Sequence, residues 1–255
     1  MSGQEKQRRN FKFILQYEGT RYQGWQKQES TENTIQGKLE ALLSKMCGEK
    51  VEIQGSGRTD AGVHAYGQVA NAKMHTDKTP AEVQAYMNRY LPEDIGVISA
   101  EEVDDRFHSR LLAKGKTYCY RIINSDIPHV FDRKTACVYP APLNKRAMEE
   151  AASYLCGTHD FAAFTSAKKS KKSTIRNIEE IRIEKEGDIW SFYFSGDGFL
   201  FHMVRILMGT LLLAGTGEIE PEEVKRILRS GKRENAGPLV PACLLYTSPS
   251  PRDCS

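Results

Sequence analysis

Residues 11–17, Phe-Lys-Phe-Ile-Leu-Gln-Tyr, nearly alternate between apolar and polar positions, which predicts a strand ending at Glu18-Gly19. The period then lengthens. Ile35, Leu39, Leu42, Leu43 and Met46 recur at helical spacing, with Asn33 and Gln36 as the expected cap and Gly48 as the stop. Residues 51–54 read as a short strand and 68–74 as its return, on either side of a glycine-rich loop. Thr79-Pro80-Ala81-Glu82 sets a capping Thr before a Pro at the first helical position and a Glu at the third, predicting a helix to about Tyr90. Residues 95–98 and 116–123 read as further strands, so the first half follows β-α-β-β-α-β with an added strand.

The pattern restarts after Ile127-Pro128-His129. Residues 136–139 read as a strand, and 144–156 as a helix using Ala147, Met148, Ala151, Ala152 and Leu155. Strands are expected over 178–184 and 189–194 around Glu186-Gly187-Asp188. Residues 199–214 are apolar on nearly every face and predict a buried helix, and Pro221-Glu222-Glu223 opens a last one closed by Gly231. The expected class is α+β: tandem ferredoxin-like, RRM-like halves, 11–125 and 126–241, forming a largely antiparallel sheet with helices packed on one side. The second half lacks a last strand, because residues 242–255 are rich in Ser and Pro and read as an atypical, disordered or artefactual tail.

Composition narrows the class without naming a function. With 40% hydrophobic and 27% charged residues over 255 positions, the chain is globular, and its net charge of +3 does not by itself argue for nucleic acid. Distribution says more. Arg106, Arg110, Lys114, Lys116 and Arg121 face only Asp105 in sequence, and Lys168, Lys169, Lys171, Lys172 and Arg176 enclose no acid. Both segments suit a polyanion, although a solvated loop is the more ordinary origin for the lysine run. The cysteines at 47, 119, 137, 156, 243 and 254 form no C-x-x-C pair and lack a His cluster, so neither a metal site nor a disulfide framework is expected. The polar first ten residues do not resemble a secretory signal, and the longest apolar segment is too short for a membrane span, so a cytoplasmic protein is expected.

The candidate chemistry lies in Gly55-Ser56-Gly57-Arg58-Thr59-Asp60-Ala61-Gly62-Val63-His64-Ala65. Gly55, Gly57 and Gly62 permit positive φ and close ligand approach. Arg58 and Asp60 lie two apart, a spacing that in extended chain puts them on one side, where the Arg would favour an ionised Asp60 fit to act as nucleophile or charge stabiliser. A structural ion pair in a glycine-rich turn fits the same residues. The loop carries neither G-x-G-x-x-G nor a Walker Lys-Ser/Thr, so a nucleotide cofactor is not expected. Arg205, inside the most apolar helix, must reach a carboxylate, a phosphate or solvent. Tyr118 and Tyr120 share one strand face, as core packing or as a base platform.

Residues 57–65 closely resemble the signature of the TruA family of tRNA pseudouridine synthases. The resemblance continues at Tyr22-Gln23-Gly24-Trp25-Gln26, Asp105-Arg106-Phe107-His108-Ser109-Arg110, Lys116-Thr117-Tyr118-Cys119-Tyr120 and Phe201-His202-Met203-Val204-Arg205, spanning about residues 11–241. It implies that Asp60 is catalytic, that Tyr118 packs against a flipped base and that Arg205 partners Asp60; the charge of Arg58, by its spacing, serves Asp60 and the opened base. The resemblance further implies a homodimer acting without cofactor or metal on uridines at about positions 38 to 40 of the tRNA anticodon arm. Trp25 and Phe107 read as packing or loop-positioning residues, and His64 and His202 as hydrogen-bonded wall residues. Two other classes compete: a non-catalytic RNA-binding protein of two RRM-like halves, which would carry an RNP1 aromatic string absent here, and a nucleoside hydrolase, which would need a second acid that this motif lacks.

Overall fold

A computed structural model describes residues 7–167, 173–242 and 244–247. Its elements in chain order are β1 (Arg8–Tyr17), α1 (Ile35–Cys47), β2 (Ile53–Gly55), β3 (His64–His75), α2 (Pro80–Tyr90), β4 (Ile95–Val103), β5 (Lys116–Ile123), β6 (Cys137–Val138), α3 (Lys145–Ser153), β7 (Gly157–Asp160), β8 (Ile175–Glu186), β9 (Ile189–Gly196), α4 (Met203–Thr216), α5 (Glu223–Ser230) and β10 (Leu244–Thr247). The protein is α+β and divides into two compact units, the first running to Lys114 and the second from Gly115 to Leu245. β5, read from sequence as an added strand of the first half, therefore belongs to the second.

In the first unit β1 lies between β4 and β3, and β2 pairs with β3, all antiparallel. With α1 and α2 this is the ferredoxin-like β-α-β-β-α-β order. Phe11, Phe13, Leu15 and Tyr17 alternate into the core, since successive strand side chains face opposite ways. Opposite them α1 buries Ile35, Leu39 and Leu43. The cap of α1 is Thr34, whose hydroxyl accepts from the Gly37 N–H at 3.1 Å, and not Asn33, whose amide donates to the Arg21 carbonyl. Gly48 ends the helix with φ 73°. The Thr79–Glu82 capping box forms as expected, with Pro80 in the first turn.

Two buried amides tie the Asp105–Arg110 segment to this sheet. Asn10 Nδ2 donates to the carbonyls of Asp104 and Phe107, and Asn71 Oδ1 accepts from the Ser109 N–H at 2.9 Å. The Ser109 hydroxyl donates to the Gln54 carbonyl at 2.7 Å. Backbone groups of this segment are thus satisfied by side chains of the sheet, while Arg106 and Arg110 stay exposed.

In the second unit β5, β9, β8 and β7 form an antiparallel series, and the two-residue β6 pairs parallel with β5. The unit's leading strand is β5, where the sequence pattern suggested 136–139. β7 was not expected, because Gly-Thr-His-Asp has no apolar alternation and takes its place only by pairing with β8. α4 is buried on nearly all faces but starts at Met203, after His202 in the left-handed region at φ 63°. Gly237 packs against it so closely that a Cβ would lie 2.3 Å from the Thr210 nitrogen, and the Gly237 N–H donates to the Thr210 hydroxyl at 2.9 Å.

Two expectations are corrected. Leu244–Thr247 forms a strand where the Ser- and Pro-rich composition of 242–255 argued for none; within that tail Leu-Leu-Tyr-Thr is a short run of apolar, aromatic and β-branched residues. Cys137 is disulfide-bonded, whereas no disulfide framework was expected. Cys119 and Cys156 are thiols outside any disulfide. Among the described residues no helix is long and apolar enough to cross a membrane.

Candidate active site

The loop between β2 and β3 is fixed mainly through its backbone. The Ser56 N–H donates to the Val69 carbonyl at 2.8 Å, and Gln68 Nε2 donates to the Gly57 carbonyl at 2.8 Å. The Thr59 carbonyl accepts from the Trp25 N–H at 3.0 Å, while the Thr59 and Tyr17 hydroxyls share a buried hydrogen bond of 2.8 Å. Beyond Asp60 the Val63 N–H donates back to the Asp60 carbonyl at 3.2 Å, closing a tight turn. The Gly62 N–H donates to the Tyr22 carbonyl at 3.3 Å. Asp60 sits half-buried in the middle of this cradle.

Residues 19–25 supply most of the cradle, and glycine is needed there for two reasons. Gly24 has φ 90°, a conformation other residues rarely adopt, and a Cβ on it would lie 2.6 Å from the Thr59 carbonyl oxygen. Gly19 lies outside the left-handed region, yet its Cβ would fall 1.9 Å from the Val63 carbonyl oxygen. Its N–H donates to His64 Nδ1 at 3.1 Å, which places His64 as a hydrogen-bonded wall residue. Trp25, 2% exposed, lies over Gly55 with no room for a side chain between them. The Tyr22 hydroxyl donates to Asp94 at 2.6 Å; burial, then that bond, raise its pKa well above the usual tyrosine value. The Tyr22–Gln26 motif is therefore a support for the Asp60 loop.

Of the three glycines that permit positive φ, only Gly62 takes it, at φ 78°. Among the described residues no ion pair joins Arg58 to Asp60. Residues 56–63 lie outside any strand, so the two-residue periodicity that would have put both on one side does not apply. Arg58 is exposed and lines an open pocket of about 470 Å³ together with Lys27, Glu40, Lys50 and Gln54. Lys27 and Lys50 are paired there with Glu40 and Glu52, at 3.2 and 2.7 Å.

In the second unit Tyr118 and Tyr120 separate into different roles. Tyr118 is half-buried, with its ring edge-on to Phe199 at 5.2 Å between centroids. Tyr120 is a core residue: 1% exposed, its single hydroxyl proton is shared between the Pro241 carbonyl at 3.1 Å and Cys137 Sγ at 3.2 Å. Burial raises its pKa far above the ordinary tyrosine value, against a smaller opposing effect of Arg205. Arg205 lies in the first turn of α4 rather than mid-helix, half-buried, with Nε donating to the Val240 carbonyl at 2.7 Å. Phe201 is exposed and stacks on His202 at 3.7 Å.

The basic segments also divide. Arg106, Arg110 and Lys114 are exposed, whereas Arg121 is directed to Asp132 at 3.6 Å and to the Thr135 hydroxyl. The run Lys168, Lys169, Lys171 and Lys172 lies outside the described residues. Sequence reasoning missed Tyr17, Thr59, Asn10 and Asn71, because nothing in a strand pattern says which polar atom a buried side chain will reach.

Together these features define an α+β protein that presents one carboxylate on a loop held rigid by its backbone. Residues 14–110 and 151–248 match the family model described as tRNA pseudouridine synthase. A protein of Bacillus sp. strain KSM-64 named tRNA pseudouridine synthase A is 50% identical over 228 residues, covering 89% of this chain and 93% of the relative. One of the same name from Acetivibrio thermocellus is 44% identical over 238 residues, 93% of this chain and 97% of its own. A tRNA pseudouridine synthase A 2 of Bacillus anthracis is 42% identical over 237 residues, with the same coverage of 93% and 97%. The chain belongs to the tRNA pseudouridine synthase family, a family of isomerases.

Proposed function

We propose that the protein converts uridine to pseudouridine at about positions 38, 39 and 40 of the tRNA anticodon stem-loop, with Asp60 as its catalytic residue. The observation that carries this reading is the Asp60 loop itself, held by hydrogen bonds on both flanks within the first family-matched segment. Chemistry that depends on one carboxylate needs that carboxylate fixed in orientation.

The reaction breaks the bond between uracil N1 and ribose C1′, turns the base and forms the C5–C1′ bond; C5 gives up its proton and N1 gains one, so the product is an isomer of the substrate. It is an isomerisation that consumes no electrons and no group donor. Asp60 acts at the sugar, as nucleophile or in proton abstraction, while the detached uracil is retained. The target base must first leave its stack, at a cost of about a few kcal/mol, and aromatic faces and cations offset that cost. Tyr118, accessible where Tyr120 is not, supplies the aromatic face. Arg205 and the exposed Arg58 are substrate-binding cations. The enzyme works as a cytoplasmic homodimer.

Incubation with unmodified tRNA transcripts and mapping of pseudouridine tests the assignment. Product at about positions 38 to 40, unaffected by a chelator, is the expected result. tRNA binding without any product would favour a non-catalytic RNA-binding protein, and product elsewhere in the tRNA would reject the anticodon arm. A dimer mass by light scattering is expected for the protein alone.

A further inference from the structure

We infer that Tyr17 is a positioning residue for Asp60, acting through the hydroxyl of Thr59; the inference rests on the reading of Asp60 as the catalytic carboxylate. Tyr17 is the last residue of β1 and continues the buried line of Phe11, Phe13 and Leu15, so its ring is anchored in the core of the first unit. It is 4% exposed and packs against Trp25 with 6.2 Å between ring centroids. Its hydroxyl lies 2.8 Å from Thr59 Oγ1, and Thr59 is itself only 6% exposed. Water competes little for a hydroxyl pair so far from solvent, which makes the pair a persistent constraint.

The constraint falls on the residue immediately before Asp60. Thr59 is held twice, by Tyr17 at its side chain and by the Trp25 N–H at its carbonyl, 3.0 Å away. The second bond limits rotation of the Thr59–Asp60 peptide, and the first limits rotation of Thr59 about its own Cα. Without the hydroxyl pair the loop keeps its backbone bonds at Trp25, Val63 and Gly62, so it remains folded. What is lost is orientation of the carboxylate, and misplacement of a reacting group by about 1 Å can cost about a hundredfold in rate.

Tyr17→Phe keeps the ring and removes only the hydroxyl; Thr59→Val keeps the shape and removes the other. Either substitution is expected to lower kcat for tRNA pseudouridylation about tenfold or more, while tRNA affinity stays within about twofold and the melting temperature falls only slightly. The double variant should be no slower than the slower single one, because both remove one interaction. Thr59→Ser, which restores the hydroxyl, should recover most of the rate. If Tyr17→Phe turns over at the unsubstituted rate, if the kcat losses multiply in the double variant, or if they follow the loss of folded protein, Tyr17 is a core residue only. Should Tyr17→Phe fail to fold, Thr59→Val and Thr59→Ser decide the matter by the same criteria. Asp60→Asn, measured beside them, separates the two levels: its retained turnover removes the reading beneath the inference, whereas an inactive Asp60→Asn with a fully active Tyr17→Phe removes the positioning role alone.

Discussion

Asp60→Asn conserves volume but removes the charge, and the loop around Asp60 keeps its backbone hydrogen bonds and that of the Thr59 hydroxyl. The substituted protein is therefore expected to fold normally and to form no pseudouridine in mapped transcripts. Its tRNA affinity should stay within a few-fold of the unsubstituted protein, because phosphate contacts supply most of the binding. Measurable turnover by a sequenced, purified variant would remove Asp60 from its role. The two tyrosines of β5 show how far residue type alone informs: Tyr118 and Tyr120 are indistinguishable by spacing, yet one is accessible beside Phe199 and the other is sealed with its hydroxyl on the Pro241 carbonyl.

At the scale of elements, the segment 19–25 and the loop 55–64 act as one part built from two stretches of chain. Backbone lies against backbone at Gly24 and Gly19, with no space for a methyl group at either. Gly24→Ala is thus expected to do double harm, straining a positive φ and driving a Cβ into the Thr59 carbonyl. We expect it to abolish turnover and to loosen the start of α1, whose Ile35 N–H donates to the Gly24 carbonyl at 3.2 Å, while α2, capped at Thr79, keeps its contribution to the far-ultraviolet circular dichroism. An active Gly24→Ala variant would show that the cradle yields without consequence for Asp60. Thr79→Ala is the contrasting case: loss of the capping box should cost about 1 kcal/mol in chemical denaturation and leave turnover unchanged.

For the molecule as a whole, the net charge of +3 is a sum that does not say which cations are already paired, as Arg9, Lys12, Lys27 and Lys50 are. Arg106, Arg110 and Lys114 are exposed, whereas Arg121 is committed to Asp132. Replacing those three exposed residues by Ser should weaken binding of every tRNA at low salt. It should also flatten the dependence of log affinity on log salt by roughly 0.7 to 0.9 for each phosphate no longer neutralised, with turnover at saturating tRNA nearly unchanged. Titrations at several salt concentrations check this, and an unchanged slope would mean that these residues face solvent rather than RNA.

The sequence by itself determined the α+β class, the ferredoxin-like order of the first unit, the helix ends at Thr79, Gly48 and Gly231, and the loop that carries Asp60. Each is local: alternation, caps and glycines act through neighbours a few residues away, and a consecutive motif is legible wherever it stands. Tertiary structure decided what depends on partners distant in sequence. It set Thr34 rather than Asn33 as a cap, made strands of Gly157–Asp160 and Leu244–Thr247, and placed Arg58 in a pocket wall without an ion pair to Asp60. It also brought Tyr17 to Thr59 across 42 positions of chain. A buried polar atom must find a partner, but which one it finds is settled by how strands and loops pack, and no periodicity along the chain encodes that choice.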